Sequence, residues 1–183
     1  MRPSTVLTVL LSLALAACAD DNTTTGPRPG SAELTVARTQ NKSAEPLSGT
    51  CVSEDAQPPV FTPPFSLDQV ITGTCQFSHL GRTNMRLLQH VSLATGAASG
   101  AVTFTAANGD ALTVTESTSS ADIGPMRKSF TGTAVITGGT GRFANATGRL
   151  DLAGTLTFDQ NGIGHAFSSY AGQIVYDASD RSE

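Results

Sequence analysis

The chain of 183 residues carries a formal net charge of −4, with 39% hydrophobic and 14% charged residues, no Trp and two Tyr. That length lies within one-domain range and allows a modest core, and the acidic balance gives a polyanion no attraction to the chain as a whole, which argues against nucleic-acid binding. Thr and Gly are abundant and no segment holds a long helical stripe, so an all-β domain is expected.

Arg2 opens the chain with a positive charge, Val6 to Ala17 is an apolar run of secretory length, and Leu15-Ala16-Ala17-Cys18 sets small residues ahead of a cysteine. The run is too short to cross a membrane as a stable helix. These four residues resemble the bacterial lipobox, in which the cysteine is acylated, palmitate included, and becomes the first residue of the mature chain. The resemblance implies a signal peptide over residues 1–17, lipid on Cys18, and a membrane-anchored protein of the bacterial cell envelope. Each buried methylene of such an anchor adds about 0.8 kcal/mol, so several chains on one cysteine hold for far longer than one. Ala19 stands where an Asp would favour the inner membrane, which points to the outer membrane, facing the periplasm or the cell surface. The plain alternative is a soluble secreted protein cut at an Ala-x-Ala-like site, with Cys18 incidental. Losing Arg2 with the leader leaves ten basic residues against fifteen acidic ones.

Residues 18–46 are polar and rich in Thr, Asn, Ser, Gly and Pro, bury too little apolar surface to offset their ordering entropy, and read as a tether. Leu34-Thr35-Val36 is a candidate for one added edge strand. The folded domain is expected over residues 47–183. It opens on a near-repeat, Ser48-Gly49-Thr50-Cys51 and Thr72-Gly73-Thr74-Cys75. With Cys18 consumed by lipid and the chain exported to an oxidising compartment, the remaining two cysteines form an even pair, and a Cys51–Cys75 disulfide is predicted. The alternative is two buried free thiols. Pro58, Pro59, Pro63 and Pro64 make the intervening segment a surface loop.

From Ile71 onward apolar and polar residues alternate with the period of strands. Ile71, Gly73, Cys75, Phe77 and His79 share a face before Leu80-Gly81-Arg82 breaks the run. Leu87, Gln89, Val91 and Leu93 oppose Arg86, Leu88, His90 and Ser92 on the next strand. Residues 101–107 and 111–117 form a hairpin about Asn108-Gly109, with Val102, Phe104, Ala106, Leu112 and Val114 on its dry face and Glu116 on that same side. Residues 117–127 read as a polar loop. Lys128 to Phe158 supplies two further strands: Phe130, Gly132, Ala134 and Ile136 face inward on one, and Leu150, Leu152, Gly154, Leu156 and Phe158 on the other. Asp159-Gln160-Asn161-Gly162 turns into a last strand, Ile163 to Tyr176, whose phase is open. Short links between some seven or eight strands favour an antiparallel up-and-down barrel, calycin-like in outline, over a sandwich.

Between the two central strands lies Gly138-Gly139-Thr140-Gly141-Arg142-Phe143, followed by the small residues Ala144, Ala146 and Gly148. This segment resembles the glycine corner of the allene oxide cyclase and dirigent barrel superfamily. The resemblance covers roughly thirty residues well and implies an eight-stranded antiparallel barrel that encloses a small apolar molecule and uses no metal or organic cofactor. The physical reading of the corner is structural: glycines permit positive φ, Phe143 folds under the barrel end as a plug, and Thr140 and Arg142 satisfy backbone carbonyls or face water. No set of acids, bases or tyrosines maps position by position onto the plant enzymes.

The catalytic candidates are His79, at a strand end expected to form the barrel mouth, and Glu116, which together could form a proton-transfer pair. The bland alternatives are a histidine bonded to backbone and a structural ion pair of Glu116 with Arg86 or His90. His165 and Tyr170 receive no role beyond a lining contact. Three scattered histidines lack metal-site spacing, and no serine-hydrolase elbow or nucleotide loop is present. Phe77, Phe104, Phe130 and Gly132 are the expected ligand-lining residues. Gly73, Gly132, Ala134 and Gly154 make the barrel roomy if opposite layers are small; Phe77, Phe104, Phe130 and Phe158 fill it if they point inward. Three functions remain open: a module binding a small apolar ligand, a cofactor-free isomerase or cyclase, and a filled barrel acting as an envelope interaction protein. The expected partners are the membrane, through Cys18, and the apolar ligand; a homo-oligomer is compatible with the sequence.

Overall fold

Alternation of small or apolar residues with Thr, Ser and charged residues runs through every long element of the chain, and each becomes a strand with one dry face. The computed structural model describes residues 43–176. Its strands are β1 (Glu45–Asp55), β2 (Val60–Thr62), β3 (Ser66–Phe77), β4 (Gly81–Ser92), β5 (Ala97–Ala106), β6 (Ala111–Gly124), β7 (Arg127–Gly139), β8 (Thr147–Phe158) and β9 (Gly164–Val175), with one 3-10 turn at Gly141–Phe143. From β3 to β9 each strand pairs antiparallel with the next, and β1 pairs with both β9 and β3. The sheet therefore closes into an eight-stranded barrel, and β2 is a short flap on the edge of β3. This is the closed all-β form implied by the glycine corner's resemblance. The expected signal peptide, Cys18 and the Leu34–Val36 strand lie outside the described residues.

Cys51 and Cys75 face each other in register and are disulfide-bonded, as the even cysteine pair predicts. The bond fastens β1 to β3 across the shortest ladder of the barrel, seven residue pairs long. The Asn108-Gly109 hairpin also forms as expected, with Gly109 at φ 90°.

Three expectations are corrected. The first strand begins at Glu45, inside the stretch read as tether, because Glu45 and Pro46 continue the ladder with Ile174 and Gln173. The proline-rich crossing is confined to residues 56–65: β1 runs on to Asp55 and β3 starts at Ser66. Residues 117–124, expected as a polar loop, extend β6, pairing Thr118 with Gly132 and Ser120 with Phe130. Their outer face meets water and their inner face meets a cavity, so neither needed apolar residues to be a strand. The real turn is at Pro125-Met126, where Met126 takes φ 54°.

The core occupies one end of the barrel. Leu47, Phe104, Leu112, Val114, Leu150 and Ile174 are fully buried there. Phe143 plugs that end from below, fully buried against Tyr176 at 5.2 Å between ring centroids. The glycine corner makes this possible: Gly141 has φ 55°, and a Cβ on it would lie 1.9 Å from Asp110 Oδ1. Arg142 closes over the outside. Its Nη2 donates to the His79 carbonyl at 2.9 Å, its Nε approaches Asp110 Oδ2 at 3.4 Å, and its guanidinium lies 4.7 Å from the Phe143 ring centroid. Thr140 Oγ1 accepts from the Ala111 amide at 3.0 Å.

Candidate functional site

The interior changes character halfway along the barrel. Phe77, Phe104 and Tyr170 pack with ring centroids 4.9 to 5.7 Å apart, and this cluster separates the filled end from a hollow one. Above it lies a cavity of about 350 Å³, lined by apolar side chains including Leu67, Ile71, Leu87, Phe130, Leu152 and Leu156. Volumes of this order accept small organic molecules. The space exists because the inward positions here are small. Ser53 on β1, Ala98 on β5, Thr118 and Ser120 on β6, and Ala166 and Ser168 along β9 all line it.

The polar groups of the cavity converge on Glu116 of β6, a side chain only 3% exposed. Tyr170 of β9 donates its hydroxyl to Glu116 Oε2 at 3.4 Å. Gln89 of β4 donates Nε2 to Oε1, also at 3.4 Å. Gln69 of β3 in turn donates to Gln89 Oε1 at 2.7 Å, which fixes the Gln89 amide with its nitrogen toward Glu116. Burial raises the Glu116 carboxyl to about 7, with the Tyr170 and Gln89 hydrogen bonds opposing the rise. Burial, and then the nearby Glu116 charge, push the Tyr170 phenol upward, so it stays protonated and serves as a donor. Near neutral pH the group can therefore hold or release a proton inside an apolar chamber. Asp55 stands at the rim, where its Oδ2 accepts from the Gly164 amide at 2.8 Å; partial burial raises its pKa against that bond and the nearby His165. Among the described residues no group of three or more His, Cys, Asp or Glu side chains could hold a metal ion.

Glu116 faces the interior as the alternation requires, but its expected partners do not reach it. Arg86 and His90 lie on the outward phase of β4, both exposed, and His90 Nδ1 is 2.7 Å from Asp68 Oδ1. His79 is not at the open mouth: it lies in the turn at the filled end, with Nε2 2.9 Å from the Pro46 carbonyl and Nδ1 3.4 Å from the Tyr176 hydroxyl. It cannot pair with Glu116 and holds that turn in place instead. Of the four lining residues expected, Phe130 borders the cavity. Phe77 and Phe104 belong to the packed cluster beneath it, and Gly132 is where β7 approaches β6, since a Cβ there would lie 2.1 Å from the Ser117 carbonyl oxygen. His165 points outward, 3.5 Å from Glu54.

Sequence reasoning missed Gln69 and Gln89 as members of the site and gave Tyr170 only a lining contact, not its bond to Glu116. Gln89 was legible as a polar residue on the Leu87 face. Tyr170 was not, because Ala166 and Ser168 leave the phase of β9 without an apolar marker.

No family model matches the sequence, and no curated protein matches it. A solved structure, that of the pterocarpan synthase dirigent protein GePTS1, is similar at 14% sequence identity, with a TM-score of 0.44, covering 79% of this chain and 92% of that one.

Proposed function

We propose that the barrel binds one small, largely apolar molecule in its open half, and that lipid on Cys18 holds it in a bacterial envelope. The observation that carries the binding reading is the cavity of about 350 Å³ with apolar walls and one buried carboxyl group at its floor. A polar group buried at the end of an apolar chamber orients a ligand that buries its own apolar surface. The anchor reading rests on Leu15-Ala16-Ala17-Cys18. A second reading, a cofactor-free isomerase or cyclase, draws on the Glu116–Tyr170 contact, which sets a carboxyl group near neutrality beside a protonated phenol. A barrel filled throughout its length loses its premise, because the phenylalanines fill only one half.

Native mass spectrometry of protein isolated from its own host should show one bound small molecule per chain. Ala166→Phe, which fills the cavity from β9, should abolish that adduct. Gly132→Leu and Gly154→Leu are poorer probes, since Cβ atoms there meet backbone oxygens at 2.1 and 2.4 Å. An empty chain, or an adduct unchanged by Ala166→Phe, would count against the reading. Cys18→Ser should shift the protein from the membrane to the soluble fraction; a variant that still fractionates with membranes contradicts the anchor.

A further inference from the structure

The titratable side chains that face the cavity are Asp55 on β1, Glu116 on β6, Lys128 on β7 and Tyr170 on β9. The Lys128 ammonium is engaged at the surface by Asp122. Among the described residues the interior therefore presents two carboxyl groups and a neutral phenol, with no cation beside Glu116. An ionised carboxylate offers about four acceptor positions, and only two at Glu116 are used, both by neutral donors at 3.4 Å. The flanking register partners, Gly100 and Ala134, carry no side-chain donor to fill the rest. A carboxylate this deeply buried is costly without a counter-charge.

We propose that the occupant of the cavity is an apolar molecule bearing one protonated amine, seated with its ammonium against Glu116. This rests on the binding reading above and narrows it to a class. An alkyl- or arylalkylammonium brings the missing charge and three N–H donors to the free acceptor positions, while its hydrocarbon lies along Leu87, Phe130, Leu152 and Leu156. A neutral alcohol supplies a donor and no charge. A carboxylate amphiphile of the same length would set its charge against Glu116 and Asp55 and is the least favoured of the three. Because burial holds the Glu116 proton until about pH 7, amine binding strengthens as pH rises through that value. Asp55, at the rim, is also raised by partial burial, and Tyr170 stays neutral throughout.

The test compares octylamine, octanol and octanoate by isothermal titration on the full chain, at about pH 8.5 and about pH 5, where an ordinary alkylamine is protonated throughout. At the higher pH octylamine should bind at least about tenfold more tightly than octanol, the ratio one well-placed charge pair of about 1.4 kcal/mol supplies, and octanoate should be the weakest. At the lower pH the amine's advantage should collapse. Glu116→Gln should remove the advantage at both pH values, and the pH comparison on the unaltered chain stands on its own if that variant is unstable. Octanol binding as tightly as octylamine, or an amine preference that survives both Glu116→Gln and acidification, overturns the proposal while leaving the binding reading intact. Failure of all three ligands to bind overturns both.

Discussion

At its filled end the barrel stacks Phe77, Phe104, Phe143, Leu112, Leu150 and Ile174 in full burial; at the other end the same strands present Ser53, Ala98, Thr118, Ala166 and Ser168 around empty space. The outer surfaces differ too. Val60, Phe61, Phe65, Leu93, Ile123 and Met126 are exposed at the open end, whereas the large exposed side chains elsewhere, such as Val52 and Phe167, sit on the barrel wall. One end is thus a conventional core that stabilises the fold, and the other gives up packing to keep a chamber. The difference teaches that stability and site are separable here, and substitutions at the two ends should behave differently.

The largest effect is expected from the filled end. Phe104→Ala should destabilise by about 3–5 kcal/mol in chemical denaturation, because the ring is fully buried between Phe77 and Tyr170. A cost near that of a surface change would break the comparison. Next comes the covalent tie between β1 and β3: the Cys51→Ala, Cys75→Ala double variant should lose roughly 2–4 kcal/mol, read from the denaturation midpoint.

Glu116 sharpens the contrast from the open end. Its folded pKa, about 7, lies above its ordinary 4.5, so the folded protein holds this proton more tightly than the unfolded chain does. The stabilisation is full below about pH 4.5 and is lost as pH rises through about 7, amounting to roughly 3 kcal/mol. Asp55, also raised by burial, adds a slope of the same sign. Denaturation midpoints measured across this window should fall with rising pH, and Glu116→Gln should flatten most of the fall; a pH profile unaltered by the substitution would mean that the carboxyl group is not desolvated. The smallest effect is predicted for Phe61→Ser at the rim, 67% exposed, which should leave stability within about 0.5 kcal/mol.

Much of this architecture was legible in the sequence. Period-two alternation placed Phe130, Ala134, Ile136, Leu150 and Leu152 inward, the Asn108-Gly109 pair marked a hairpin, and the cysteine count yielded the disulfide. Alternation also put Glu116 on the dry side. It could not say which inward residues share a layer, because that depends on the register between strands. Small glycines and large phenylalanines thus stand in the sequence as rival descriptions of one interior, whereas Phe77 and Phe104 close the filled half and Phe130, opposite Gly154, borders the cavity. The same gap misplaced His79: Phe77 ends β3, and the histidine falls in the turn at the filled end. Polar inner residues such as Thr118 and Ser120 concealed the second half of β6, since a strand facing a cavity leaves no apolar trace.

The hollow half and its readiness to take an apolar guest are tested most directly by titrating the purified full chain with a neutral apolar fluorophore, N-phenylnaphthylamine, alongside Ala166→Phe and, on the outer wall, Val52→Ser. Saturable one-to-one binding that is lost in Ala166→Phe and kept in Val52→Ser is the expected result. Absence of saturable binding, or equal binding by Ala166→Phe, would contradict it.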